Sequence, residues 1–128
     1  MSYESFTVSA KDKEESTFTA SASHDYKLFA AGLWSPGSGW LSSSPWFGPE
    51  GDSASCENCY AEYETLGTLI YRGDDVLYEK GYTGPETLSL KQGQRILFGF
   101  NDKADSYNNN EGFVTVYLSC LDCELVAE

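Results

Sequence analysis

Apolar and polar residues alternate in short runs along most of this chain of 128 residues. An alternation with a period of two is the pattern of a half-buried β-strand, because successive side chains of a strand point to opposite faces. In Thr17–Ala22, for example, every second residue is Phe or Ala. The pattern predicts eight strands, at Ser5–Ser9, Thr17–Ala22, Tyr26–Leu33, Gly67–Arg72, Val76–Lys80, Glu86–Leu90, Arg95–Asn101 and Phe113–Ser119.

Turn signals separate the predicted strands. The triplet Gly73-Asp74-Asp75 is typical of a hairpin between the fourth and fifth strands. The charged piece Lys11–Glu15 is too short for a stable helix, and we predict a solvated turn there. Strands at these intervals predict an all-β fold, a small jelly-roll-like β-sandwich of about eight strands. The length fits a single domain over residues 1–128.

The segment from Trp34 to about Ala61 interrupts the alternation. It holds all three tryptophans, Trp34, Trp40 and Trp46, together with three prolines. A loop of this length in a compact domain is usually functional or disordered, and its tryptophan and proline content argues against disorder. We expect at least two of the tryptophans to pack in the core or within the loop.

Charge and hydropathy exclude several classes of partner. The formal net charge is -12, which argues against nucleic acid or an anionic membrane surface. A run of about 20 apolar residues, as a membrane span needs, is absent from the sequence. The polar start Met1–Ser5 lacks a signal-peptide pattern, which leaves a cytoplasmic location or release by a non-classical route as expectations.

Four cysteines form two C-x-x-C pairs, Cys56/Cys59 and Cys120/Cys123. Two such pairs can make a Cys₄ zinc site, but the usual gap between the pairs is about 15–20 residues and is much longer here. A redox C-x-x-C motif would need a βαβ context, which the sequence does not predict. We rank disulfides first, free thiols second and zinc third, and expect that the two pairs do not share one ion.

Catalytic motifs are few. The only histidine, His24, precedes Asp25, and adjacent residues of an extended chain point in opposite directions. The sequence contains no P-loop, dinucleotide fingerprint or zincin motif. We therefore expect a non-enzymatic protein and give a carbohydrate-active enzyme low weight.

The segment Asn101–Gly112 carries an unusual number of side-chain oxygens between two apolar strands. Hard cations such as Ca²⁺ take six to eight oxygen ligands from carboxylates, amides and backbone carbonyls. The residues that could supply them are Asp102, Asp105, Asn108, Asn109 and Asn110. The alternative is an ordinary polar turn, since Asn, Asp, Ser and Gly are the usual turn residues. The spacing differs from that of an EF-hand loop.

Four patterns give the chain a resemblance to a known family. The most specific is N-D-x(3)-[ST]-Y-x-N-N, here Asn101 to Asn110. The others are Ala30-Ala31-Gly32, Gly48-Pro49-Glu50-Gly51-Asp52 and Gly67-Thr68-Leu69-Ile70, in the same order along nearly the whole chain. In these patterns the chain resembles the calcium-dependent galactose-binding lectins of the Pseudomonas PA-I type (PA-IL-like lectins).

The resemblance implies a Ca²⁺ ion that holds two adjacent sugar hydroxyls. By position, it implies Asp102, Asn109 and Asn110 as side-chain ligands, with carbonyl ligands from Ser106 and from Pro36 or its neighbour. It implies sugar contacts from Asp102 and Asn109, with Lys103 covering the sugar ring by its alkyl stem. The family has a histidine and a glutamine after its G-P-x-G-D motif, and here Ser55 and Asn58 are the nearest counterparts.

These observations together predict a calcium-dependent lectin that binds galactose-containing glycans, and we expect a homo-oligomer, either a dimer or a tetramer. The alternative function is a structural or interaction domain of the same fold, in which Ca²⁺ serves only as a stabilising ion.

Overall fold

The fold is seen in a computed structural model, which describes residues 2–11, 13–36, 46–51, 59, 61, 64–73, 80–103, 107 and 110–120. Within these residues the chain forms eight strands and no α-helix. They are β1 (Ser2–Ser9), β2 (Lys13–Thr19), β3 (His24–Ser35), β4 (Leu69–Gly73), β5 (Lys80–Gly81), β6 (Glu86–Leu90), β7 (Arg95–Phe100) and β8 (Glu111–Cys120).

The strands form two four-stranded antiparallel sheets. The front sheet has the order β1-β8-β3-β6, and the back sheet has the order β2-β7-β4-β5. This is the strand order of a jelly roll, in which consecutive strands lie in different sheets except for the pair β4 and β5. The prediction of an all-β, jelly-roll-like sandwich is confirmed. No helix in the described part of the chain is long and apolar enough to cross a membrane.

The bounds of several strands differ from the sequence prediction. The prediction of a turn over Lys11–Glu15 is wrong from Lys13 onward, because β2 begins at Lys13 and pairs with β7 through a register shift before Ser16. The same strand ends at Thr19 rather than Ala22, since Ala20 hydrogen-bonds instead to the turn at Gly93 and Gln94. These ends depend on partner strands, and alternation alone does not encode them. The predicted strand Val76–Lys80 and the Gly73-Asp74-Asp75 turn lie mostly outside the described residues.

The core lies between the sheets and is built from the inward positions of each strand. In β8 these are Val114, Val116, Leu118 and Cys120, all buried and two residues apart. Aromatic rings join the sheets by edge contacts, with Trp34 and Phe100 centred 4.6 Å apart and Phe6 and Phe98 5.4 Å apart. Alternation thus fixed the faces of the strands, because a period of two places every second side chain in the core.

Candidate functional site

Buried polar side chains lie at one end of the sandwich. Among the described residues, five polar or charged residues are buried, and each lies at the end of a strand or next to one at this end of the sandwich. Burying such groups costs free energy unless they are hydrogen-bonded or bind an ion, so their concentration at one end marks a built site. They are Ser35 at the end of β3, Thr68 before β4, Asn101 and Asp102 after β7, and Asn110 before β8.

The side chain of Asn101 holds the chain that precedes β4 in place by hydrogen bonds to its backbone. Its Oδ1 accepts a hydrogen bond from the amide of Ala61 at 2.8 Å. Its Nδ2 donates to the carbonyl oxygens of Ala61, Glu64 and Thr65 at 3.1, 3.3 and 3.0 Å. The side chain is completely buried, so these bonds replace all of its contacts with water. Asn101 therefore fixes the position of the residue that follows it, Asp102.

Tyr107 hydrogen-bonds to residues at both ends of segment 101–110. Its buried hydroxyl donates to the carbonyl oxygen of Phe100 at 2.7 Å and accepts from the amide of Asp102 at 3.3 Å. The Tyr107 carbonyl accepts from the amide of Asn110 at 3.2 Å. One tyrosine thus links the end of β7 to the start of β8, which belongs to the other sheet.

Asp102 is 5% exposed, which is unusual for a carboxylate. Its Oδ1 accepts a hydrogen bond from the amide of Lys103 at 2.7 Å, and its Oδ2 is also buried. A carboxylate at such a depth needs a positive or hydrogen-bonding environment, because burial in a low dielectric disfavours the charged form.

Asn110 supplies an oxygen that the described protein groups leave unsatisfied. Its Nδ2 donates to the carbonyl of Ala10 at 2.8 Å, which fixes the orientation of the amide. Its Oδ1 is buried and accepts no hydrogen bond from the described residues. An unpaired buried amide oxygen costs roughly 1–3 kcal/mol, so a ligand for this atom is expected.

The candidate carbonyl at Pro36 lies at the same end. Ser35 pairs with Glu111 at the last step of the β3–β8 register, so the residues next to them in the chain, Pro36 and Asn110, both lie at this end of the front sheet. The other predicted ligands, Ser106 and Asn109, lie outside the described residues. The structure thus brings Pro36, Asp102 and Asn110 to one end of the sandwich.

Lys103 and Cys59 form the rim of the site. They are partners in an isolated antiparallel bridge, and Lys103 is exposed while Cys59 is buried. The predicted sugar contacts Ser55 and Asn58 lie outside the described residues, but the bridge brings the chain that follows them to Lys103.

Both described cysteines, Cys59 and Cys120, are disulfide-bonded, which confirms the first-ranked prediction for them. Cys59 pairs with Lys103 through a backbone β-bridge at the site end. Cys120 is the last residue of β8, which starts at Glu111 and runs away from that end. Nine residue steps of a strand span about 30 Å, so the two cysteines do not bind a common ion.

Two of the weaker sequence patterns meet behind the site. The carbonyl of Pro49 accepts hydrogen bonds from the amide of Leu69 at 2.7 Å and the hydroxyl of Thr68 at 3.2 Å. Gly67 has a φ of 77°, and a Cβ at this position would lie 2.2 Å from the ring of Phe47. Glycine is required here because the ring occupies that space and the conformation is left-handed.

Sequence reasoning named Asp102 and Asn110 as candidate ligands and assigned no role to Asn101 or Tyr107. Both belong to the Asn101–Asn110 pattern, and their side chains hydrogen-bond to backbone groups, Asn101 to Thr65 and Tyr107 to Phe100. A polar residue directly after an apolar strand was the available signal for Asn101. His24 is the first residue of β3, where it pairs with Leu90 of β6.

Comparisons with known proteins give a structural match only. No family model matches the chain, and no curated protein is significantly similar to it. A solved structure described as "EclA N-terminal domain; PllA-like lectin" is similar to the chain with a TM-score of 0.64 and 21% sequence identity. The match covers 91% of this chain and 94% of the other. At this identity it shows that the two chains share a fold.

Proposed function

We propose that the protein is a calcium-dependent lectin that binds terminal galactose or a related sugar and has no catalytic activity. The observation that carries the proposal is the buried Asn110 Oδ1, which accepts no hydrogen bond from the described residues, at the same end of the sandwich as the buried carboxylate of Asp102. A hard cation is the ligand that suits a carboxylate and an amide oxygen together.

The residues at this end fit Ca²⁺. Asp102 and Asn110 would hold the ion through side-chain oxygens and Pro36 through its carbonyl, with Ser106 and Asn109 as further ligands from the sequence pattern. Amide and carbonyl oxygens bind calcium without adding negative charge, which favours a site in a chain that already has a net charge of -12. A bound Ca²⁺ supplies open coordination positions that can take two neighbouring sugar hydroxyls.

The protein's own residues would orient the ring. Asp102 offers a carboxylate oxygen to a sugar hydroxyl, and charge-assisted hydrogen bonds of this kind are the strong ones. Lys103 is exposed at the rim, where its alkyl stem can cover an apolar ring face while the ammonium remains in water. Ser55 and Asn58 are the candidates for contacts to the outer hydroxyls. The structural neighbour is described as a lectin, which agrees with a sugar ligand.

Thermal unfolding in millimolar Ca²⁺ and in EDTA tests the metal part of the proposal. A ligand that binds only the folded state at a hundredfold excess over its Kd stabilises it by about 2.7 kcal/mol. For a chain of this size we expect the melting temperature to rise by roughly 10 °C. The nearly isosteric Asp102→Asn should abolish the rise, while Glu50→Gln, which removes an exposed carboxylate, should keep it. Equal melting curves of the wild type in both solutions would refute the metal site.

Titration calorimetry with galactose and glucose, with and without Ca²⁺, tests the sugar part. Galactose offers a cis pair of hydroxyls at its 3 and 4 positions and glucose does not, so we expect heat for galactose only when Ca²⁺ is present. If Ca²⁺ stabilises the protein and no galactoside gives heat, the ion is a structural one and the lectin proposal is wrong.

A further inference from the structure

A shallow groove lies on the outer face of the front sheet, away from the end that holds Asp102 and Asn110. Its volume is about 490 Å³. The residues that line it are Lys27, Phe29, Ala31, Tyr117 and Ser119. Tyr117 is six residues along β8 from Glu111, the first residue of that strand, which corresponds to roughly 20 Å. The groove is therefore separate from the proposed calcium site.

Two aromatic rings give the groove an apolar wall. Phe29 and Tyr117 lie across from each other in the β3–β8 register, with ring centroids 5.9 Å apart and an angle of 37° between the ring planes. Phe29 is 43% exposed, so a large part of its ring faces water. Ala31 adds only a methyl group to the lining. A flat apolar ring of a ligand could pack on this wall, since aromatic rings attract one another in offset and edge-on arrangements.

The polar side chains of the groove are available to a ligand. Lys27 is exposed and forms no ion pair or side-chain hydrogen bond with the described residues. The hydroxyl groups of Tyr117 and Ser119 likewise make no hydrogen bond within that part of the chain. The ammonium group can only donate hydrogen bonds, and both hydroxyls can donate as well. A carboxylate matches these groups, because it accepts hydrogen bonds and carries the opposite charge to the lysine.

The local charge favours an anion although the chain as a whole is acidic. The net charge of -12 repels anions at long range, but at physiological ionic strength charges more than about 8 Å apart are largely screened. Lys27 is the only charged residue that lines the groove. Asp25 lies two residues earlier in β3, and its Oδ1 accepts a hydrogen bond from the hydroxyl of Ser89 at 2.6 Å. The contact with the Lys27 ammonium should therefore decide whether an anion binds.

We propose that this groove binds a small aromatic carboxylate. The ring packs on Phe29 and Tyr117, and the carboxylate accepts hydrogen bonds from Lys27 Nζ and from the hydroxyl of Ser119, which lies across from Lys27 in the register. The groove volume lies within the range of about 300–1,000 Å³ that is usual for small-molecule sites. Because the groove is shallow, we expect a dissociation constant of about 1 mM. The proposal does not depend on calcium or sugar binding.

Nuclear magnetic resonance of the isotope-labelled full chain, titrated with benzoate, tests the proposal. EDTA is present throughout, so that the carboxylate cannot bind through a calcium ion at the other end of the sandwich. We expect saturable shifts of the backbone amide signals of Phe29, Tyr117 and Ser119, with a dissociation constant of about 1 mM. Benzamide has the same ring without the charge, and it should bind about tenfold more weakly.

Variants of two lysines separate the groove from the rest of the surface. Lys27→Gln should raise the dissociation constant of benzoate about tenfold and leave that of benzamide unchanged, because only the charge is lost. The matched control is Lys91→Gln, which removes an exposed lysine outside the groove and should change neither constant. Lys27 is exposed, so its replacement should also leave the melting curve nearly unchanged.

Several results would overturn the proposal. They are the absence of saturable shifts at millimolar benzoate, equal constants for benzoate and benzamide, and an unchanged constant in Lys27→Gln. Shifts at Leu33 and Phe113 without shifts at Phe29 and Tyr117 would place the ring outside the groove, with the same consequence. Glucuronate, which carries its carboxylate on a sugar ring, is the last probe. If it binds more tightly than benzoate, the groove is a site for acidic sugars and the assignment to aromatic ligands is wrong.

Discussion

Replacing Asn101 by alanine should destabilise the protein far more than removing an exposed side-chain amide would. The Asn101 side chain is completely buried and makes hydrogen bonds to the backbone of Ala61, Glu64 and Thr65. Alanine would leave the amide of Ala61, itself only 5% exposed, without its acceptor. It would also remove the donors for the carbonyl oxygens of this turn.

The magnitude follows from these contacts. A buried N–H without an acceptor costs about 1–3 kcal/mol, and each lost hydrogen bond to a carbonyl costs about 0.5–1.5 kcal/mol. Two amide protons serve the three carbonyls, so we count two such bonds and expect a loss of about 4 kcal/mol. For a chain of this size the melting temperature should fall by roughly 15 °C. Asn101→Asp should be at least as destabilising, because a carboxylate would face the carbonyl oxygens.

Urea unfolding followed by circular dichroism, under oxidising conditions that keep the disulfides, measures this loss. Gln92→Ala is the matched control, since Gln92 is exposed and its loss should change stability by less than about 0.5 kcal/mol. The calcium-dependent stabilisation should also weaken in Asn101→Ala, because Asp102, the proposed carboxylate ligand, is the next residue in the chain and would lose its fixed position. A loss for Asn101→Ala no larger than that for Gln92→Ala would show that Asn101 does not hold this segment.

Two further predictions concern pH and the rim of the site. Burial and then the hydrogen bond to Glu86 raise the pKa of Tyr71, and burial raises that of Tyr82. Above about pH 10 the folded state therefore keeps the two phenol protons, whereas the unfolded state releases them. Stability should hold below about pH 10 and fall above it, by up to about 1.4 kcal/mol per pH unit for each tyrosine. Urea titrations at about pH 8 to 11 should show a shallower fall for Tyr71→Phe, and an equal slope would contradict the assignment. Lys103→Ala should weaken galactose binding in calorimetry and leave the Ca²⁺-dependent rise in melting temperature unchanged; a loss of both would make Lys103 a structural residue.

Local patterns in the sequence were enough to predict the class of fold. The alternation in β8 places Val114, Val116 and Leu118 on one face, and these residues are buried in the structure. The prediction worked because the period of side chains along a strand is a property of neighbouring residues. The ends of β2 were not predictable in this way, since they depend on pairing with β7 far along the chain.

The composition of segment 101–110 likewise points to an oxygen-rich site. The composition does not show which side-chain oxygens accept hydrogen bonds within the protein and which remain available to a ligand. Asn101 and Asn110 are both amides, yet all polar atoms of the Asn101 side chain bind backbone groups, whereas Asn110 keeps a buried Oδ1 without a hydrogen bond from the described residues. The difference arises from contacts with residues distant in sequence, such as the 2.8 Å bond from Asn110 to Ala10.

The sequence by itself determined the strands, their inward faces and the oxygen-rich connection between β7 and β8, because each depends on residues close together in the chain. Tertiary structure decided that Asp102 and Asn110 end up buried at one end, and that Leu33, Trp46 and Phe113 share one exposed face. Those outcomes depend on which strands become neighbours. In a jelly roll, neighbours such as β1 and β8 come from opposite ends of the chain, and a local pattern contains no information about such pairs.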